Sequence, residues 1–121
     1  MTFKELSKFI VAFKPLTGWS KGDLRRNGKS VYDFSRVSFE PIKSEAYSLD
    51  EKLDLLLDEL EKDMKGVLSL SKNANAIISV CRHQYISGNS GISLDVKTIN
   101  RMNRLNLGID IDTYIIGNEI N

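Results

Sequence analysis

The 121-residue chain holds one cysteine, one histidine, one tryptophan and two prolines. A single thiol excludes an internal disulfide framework and any multi-cysteine metal site. A lone histidine beside a lone cysteine supplies too few ligands for a zinc centre. No segment approaches the roughly 18 consecutive apolar residues that a membrane-spanning helix requires. The N-terminal residues lack the basic, apolar and small-residue order of a secretory leader, so a cytoplasmic, reducing location is expected, with Cys81 a free thiol. There is no P-loop, no G-x-G-x-x-G after a strand and no H-E-x-x-H, so these nucleotide-binding and zinc-hydrolase signatures are missing. Neither charge sign dominates: 17 basic side chains face 16 acidic ones, a net of +1. A dedicated DNA-coating protein carries a stronger basic excess.

What is present suits a globular domain. The 41% hydrophobic content argues against disorder. A chain of this length buries about two-thirds of its unfolded surface, enough for a core without metal or disulfide. One domain over residues 1–121 is expected, with no cofactor.

Hydrophobic spacing and turn chemistry divide the chain. Residues 2 to 13 read as a helix, with Thr2 and Glu5 at capping-box spacing, Leu6, Phe9, Ile10 and Phe13 on one stripe, and Pro15 as the stop. Residues 14 to 30 read as a Gly-containing loop with a turn at Asn27-Gly28. Residues 31 to 39 read as a strand with a bulge near Ser35. Residues 48 to 64 give a helix capped by Ser48 and Glu51, its stripe running through Leu49, Leu53, Leu56, Leu57, Leu60 and Met64, with Gly66 ending or kinking it. Residues 76 to 86 read as a strand and 95 to 105 as a helix with Val96, Ile99, Met102 and Leu105 inward. Gly108 stands at a left-handed C-cap position, and residues 109 to 116 form a last strand. The expected fold is α+β: a small, mostly antiparallel sheet of three or four strands with helices packed on one face.

Four local patterns in this order carry a resemblance. They are Pro15-Leu16-Thr17-Gly18-Trp19-Ser20-Lys21-Gly22-Asp23, the acidic Leu-rich helix from Ser48, the Gly91-Ile92-Ser93-Leu94 lead-in to the next helix, and the ending Leu107-Gly108-Ile109-Asp110-Ile111-Asp112-Thr113-Tyr114. The set resembles the bacterial domain-of-unknown-function family 4279 over about residues 3 to 116. The resemblance brings no agreed catalytic residues. Because some relatives occur in polymorphic-toxin neighbourhoods, it implies an immunity role. Relatives usually open with a strand before the first helix, whereas this chain opens at the helix. One outcome is an unpaired sheet edge, which would favour a homodimer or a strand donated by a partner; the other is simply a smaller domain.

The near-zero net charge is a cancellation. Residues 1–39 carry +5, residues 40–64 carry −6 and residues 65–121 carry +2. In the first third, Trp19, Lys21, Arg25, Arg26 and Lys29 form an aromatic and basic loop. Such a loop suits an acidic protein surface or nucleic acid, or is simply solvated with Trp19 on the core. On the acidic helix, Asp50, Asp54, Asp58 and Glu61 project away from the leucine stripe, forming either a solubilising face or a contact for a basic partner. Lys97, Arg101 and Arg104 share one face of the following helix, a solvated face or a second basic patch. Cys81 and His83 alternate on one strand, where a nucleophile dyad competes with an ordinary sheet histidine. Asp110 and Asp112 also alternate, and paired carboxylates of this kind can hold Mg²⁺. The intervening isoleucines point instead to solvent-facing aspartates.

The reading that follows is a non-enzymatic binding protein, an immunity-type inhibitor contacting a toxin domain. Its binding residues would be drawn from Trp19, Lys21, Arg25, Arg26, Asp54, Asp58, Glu61 and Arg101. The alternative is a small nucleic-acid-binding module built on the Trp19 loop. No catalytic residue, metal ligand, cofactor or membrane contact is expected.

Overall fold

A computed structural model describes residues 1–42, 48–86 and 91–117, with the backbone alone at Tyr85. The chain runs α1 (Phe3–Ser7), β1 (Pro15–Trp19), β2 (Arg36–Phe39), α2 (Leu49–Glu61), α3 (Met64–Asn73), β3 (Ile77–Tyr85), α4 (Val96–Arg104) and β4 (Gly108–Ile116). The α+β class holds, but the sheet differs from expectation. Among the described residues there are two two-stranded sheets: β1 and β2 pair antiparallel, while β3 and β4 pair parallel. Parallel neighbours need a crossover, and α4 provides it.

The first helix is shorter than its hydrophobic spacing implies. Its capping box forms as expected: Thr2 Oγ1 accepts from the Glu5 N–H and Glu5 Oε1 accepts from the Thr2 N–H. It then ends at Ser7, where the Lys8 and Phe9 N–H groups close a tighter turn onto the Glu5 and Leu6 carbonyls at 3.3 and 3.4 Å. The Val11 and Ala12 N–H groups donate to Asp63 Oδ2 at 2.8 and 3.3 Å. Leu6 and Ile10 are buried all the same. Helical spacing thus marked core positions correctly where the backbone leaves the helix.

Asp63 also divides what reads as one helix. It is the N-cap of α3, with Oδ1 accepting from the Gly66 N–H at 3.1 Å. Gly66 therefore lies inside α3 and does not end α2. The three N–H donors, Val11 foremost, hold the Asp63 carboxyl below the usual carboxylate range against the opposing effect of desolvation. A carboxyl lowered on folding stabilises the fold above its unfolded pKa of about 4 and loses that contribution as pH falls through the folded value. Asp63→Ala is expected to cost about 2 kcal/mol at pH 7. Thermal melts from pH 7 to 3 check this: the gap between the two proteins narrows below about pH 4.

The other departures have local causes. Pro15 and Gly18 make residues 14–30 look like a loop, yet Pro15–Trp19 is a strand, with a register shift between Pro15 and Thr17 and not near Ser35. Gly18 is required there because a Cβ would run into the Arg36 carbonyl and the Phe3 ring. The strand expected over residues 31–39 keeps only Arg36–Phe39, and Val31 forms an isolated bridge to Leu24. After α4 the left-handed residue is Asn106, φ 56°, and not Gly108, which begins β4. The Leu107 N–H closes the helix end onto the Met102 carbonyl at 3.0 Å. On α4, Thr98 and Met102 are buried while Val96 and Ile99 are exposed. Helix α2 follows its leucine stripe, with Leu53, Leu57 and Leu60 buried but Met64 exposed. These leucines join Leu6, Ile10, Val67, Leu70, Ile78, Met102 and Leu105 in one cluster, with Val37, Phe39, Val80 and Ile109 packed around it.

Candidate functional site

The two charge poles of the sequence differ in how far they are already engaged. Helices α2 and α4 pack together, and Arg101 lies between them with its side chain only 11% exposed. Its Nε and Nη2 grip Glu61 side-on at 3.0 and 2.8 Å; Nη2 also reaches Asp58 at 2.7 Å and Nη1 reaches Asp54 at 3.4 Å. The acids stand one helical turn apart and so line up along one face of α2. Arg101 holds Glu61 below the usual carboxylate range, and the carboxylates raise the Arg101 pKa in return. Four of the residues expected to bind a partner, Asp54, Asp58, Glu61 and Arg101, therefore bind one another. Lys97 and Arg104 edge an open pocket of about 570 Å³ beside this clamp.

The Trp19 region is a hairpin standing on β1 and β2. Gly22 and Gly28 take left-handed φ values of 94° and 69°, the conformation that favours glycine in tight turns. Asn27 Oδ1 accepts from the Lys29 and Ser30 N–H groups, which locks the expected Asn27-Gly28 turn. Backbone bonds from the Gly22 N–H to the Tyr32 carbonyl, from the Tyr32 N–H to the Asp23 carbonyl and from the Arg25 N–H to the Ser30 carbonyl zip the two arms. The Trp19 ring stacks on Tyr32 with centroids 4.0 Å apart and planes 11° apart, and Phe34 meets Trp19 edge-on at 5.8 Å. The Arg25 guanidinium lies 4.6 Å over Tyr32, and that of Arg36 lies 5.5 Å over Trp19. Trp19 Nε1 donates to the Phe34 carbonyl at 3.0 Å. Trp19 is thus half-buried in the hairpin itself.

Sequence reasoning placed Trp19 and Arg25 in one loop but left out Tyr32, Phe34 and Arg36, which complete the cluster. The available signal was their i, i+2 spacing, which puts all three on one side of an extended chain. Linking them to Trp19 required knowing that residues 15–19 form the partner strand. Around the cluster Leu24, Val31 and Phe34 are exposed by half or more, and Lys21, Arg26 and Lys29 in the same arms are exposed as well. Arg25 makes a long ion pair with Asp33 at 3.9 Å; Lys21, Arg26 and Lys29 have no ion pair among the described residues.

On the β3–β4 sheet, Cys81 and His83 share the exposed face, and His83 stacks on Tyr114 at 5.5 Å. The Tyr85 side chain, two residues on, lies outside the described ones. Asp110 and Asp112 are exposed on β4. Among the described residues no three His, Cys, Asp or Glu side chains converge as a metal site, and no helix is long and apolar enough to cross a membrane.

No curated protein and no solved structure matches the chain. A family model does, that of the Domain of unknown function DUF4279, and it spans residues 8–116. That span takes in the hairpin, the acidic helix, the Arg101 clamp and both strands of the parallel sheet, so the chain belongs to the DUF4279 family.

Proposed function

We propose that the chain is a non-enzymatic protein-binding module of the immunity type, which neutralises a toxin by contact through the Trp19 hairpin. The observation that carries this reading is the stack in which Tyr32 lies against both Trp19 and the Arg25 guanidinium. Tryptophan, tyrosine and arginine are the residues that anchor protein interfaces. Here they are fixed before binding, which lowers the ordering cost of association. Exposed Leu24, Val31 and Phe34 give the patch an apolar centre, and Lys21, Arg26 and Lys29 give it a basic rim suited to an acidic partner surface.

The same geometry weighs against nucleic acid. Stacking platforms need a free aromatic face for each base. Tyr32 is covered by Trp19 and Arg25, and Arg36 lies over Trp19. The acidic α2 adds a field that opposes phosphate approach.

The test pairs this chain with the toxin-like product of the adjacent gene. Co-expression should protect cells and the purified proteins should form a complex. Arg26→Glu combined with Phe34→Ala should weaken that complex about 100-fold while lowering the melting temperature by only about 5 °C, since Arg26 makes no ion pair among the described residues and Phe34 gives up only its edge-on contact with Trp19. Absence of complex and of protection would refute the reading. Salt-sensitive binding to single-stranded oligonucleotides, lost in the same variant, would favour the nucleic-acid alternative.

A further inference from the structure

The parallel sheet is incomplete as it stands. Among the described residues β3 and β4 pair only with each other, so each offers an open edge. Parallel strands are seldom left in pairs, and isolated two-stranded sheets are marginal. The direction of the backbone groups can be read from the ladder. The Ala76 carbonyl accepts from Gly108, and the Ile86 N–H donates to the Ile116 carbonyl. Even-numbered residues of β3 therefore face β4. Residues 77, 79, 81, 83 and 85 aim their N–H and C=O groups at the open edge.

Open edges are normally blunted by charge, proline or a bulge. The nine residues of β3 contain no proline, lysine, aspartate or glutamate, and the pairing with β4 runs without a shift. β4 differs, because Asp110 and Asp112 lie exposed along it. Antiparallel self-pairing about the middle of β4 would set Asp112 against its own copy, and like charges directly opposite are destabilising. β3 is self-complementary instead. A two-fold axis at Cys81 overlaps all nine residues, sets Arg82 against Val80 and Ser79 against His83, and opposes no like charges. All five outward-facing residues then sit in hydrogen-bonded pairs.

We infer that two copies of this chain associate by antiparallel pairing of their β3 edges about a two-fold axis at Cys81, making one continuous four-stranded sheet. The inference does not rest on the partner proposed above. Cys81 then faces its own copy in a hydrogen-bonded pair with Cα atoms about 5.5 Å apart, a spacing that a disulfide accepts.

The test uses the full chain. Sedimentation velocity over a concentration series under reducing conditions should show twice the monomer mass. Brief treatment with diamide, which takes two electrons and two protons from the paired thiols, should convert that dimer to a covalent one. Cys81→Ser should remain dimeric. Cys81→Lys, which sets two cations on the axis at a site exposed in the monomer, should sediment as a folded monomer. A wild-type monomer throughout would overturn the inference. So would a dimer that Cys81→Lys leaves intact, or one trapped through Asp112→Cys in the Cys81→Ser background.

Discussion

Arg101→Ala is expected to lower the unfolding free energy by about 3 kcal/mol at pH 7 and the melting temperature by about 10 °C. The two-point grip on Glu61 supplies most of this, about 2 kcal/mol for a charge-assisted bidentate pair. Asp54 and Asp58 are 60% and 62% exposed, so each of their bonds contributes well under 1 kcal/mol. Packing lost from the arginine stem between α2 and α4 adds the remainder. The effect has a defined pH dependence. Glu61 is held low by Arg101, so the wild-type advantage is full above the unfolded pKa of about 4.3 and is lost as pH falls through the folded value. In the variant Glu61 loses that partner and keeps the repulsion of Asp58, so its carboxyl is no longer held low. Chemical denaturation at pH 7 and pH 3.5 should therefore show the gap shrinking with acid. A gap independent of pH would remove the clamp from the account.

Gly66→Ala is expected to destabilise by about 3 kcal/mol, opposite in sign to what helix propensity gives. Inside an exposed helix, alanine is favoured over glycine by about 1 kcal/mol. Here a Cβ would land on the Phe9 carbonyl oxygen and 2.8 Å from both Asp63 carboxylate oxygens. Two of its neighbours are thus parts of the junction that pins the segment after α1 and starts α3, and backbone cannot move aside as a flexible side chain can. The variant should also lose protection from hydrogen exchange at Val11 and Ala12, whose donors Asp63 holds. An alanine variant as stable as the wild type would show that the two segments do not pack as described.

Much of the fold is written in periodicity, and the misreadings share a cause. The caps at Thr2 and Ser48, the leucine stripe of α2 and the β3 and β4 spans depend on neighbours a few residues away. Contacts between distant segments are silent in such patterns. Asp63 takes donors 51 and 52 residues upstream, which pins the segment after α1, and it caps α3, which splits the second helix. Gly18 reads as a loop residue, yet it is there to let a strand pass Arg36 and Phe3. The candidate site follows the same division. Charge counting located both poles. It did not show that Arg101, 40 residues beyond Glu61, would turn toward the acids rather than away from them. Nor did spacing show that β1 pairing brings Tyr32, Phe34 and Arg36 to Trp19.

The central proposal is that Asp54, Asp58 and Glu61 of the acidic pole are engaged by Arg101 within the molecule, while the basic aromatic hairpin is the surface that binds. Isothermal titration against the proposed toxin partner tests it with two variants, Arg26→Glu/Phe34→Ala on the hairpin and Asp50→Asn/Asp54→Asn on α2. The account predicts about a 100-fold weakening for the first and less than a threefold change for the second. Strong weakening by the α2 pair, with the hairpin pair binding like the wild type, would contradict it.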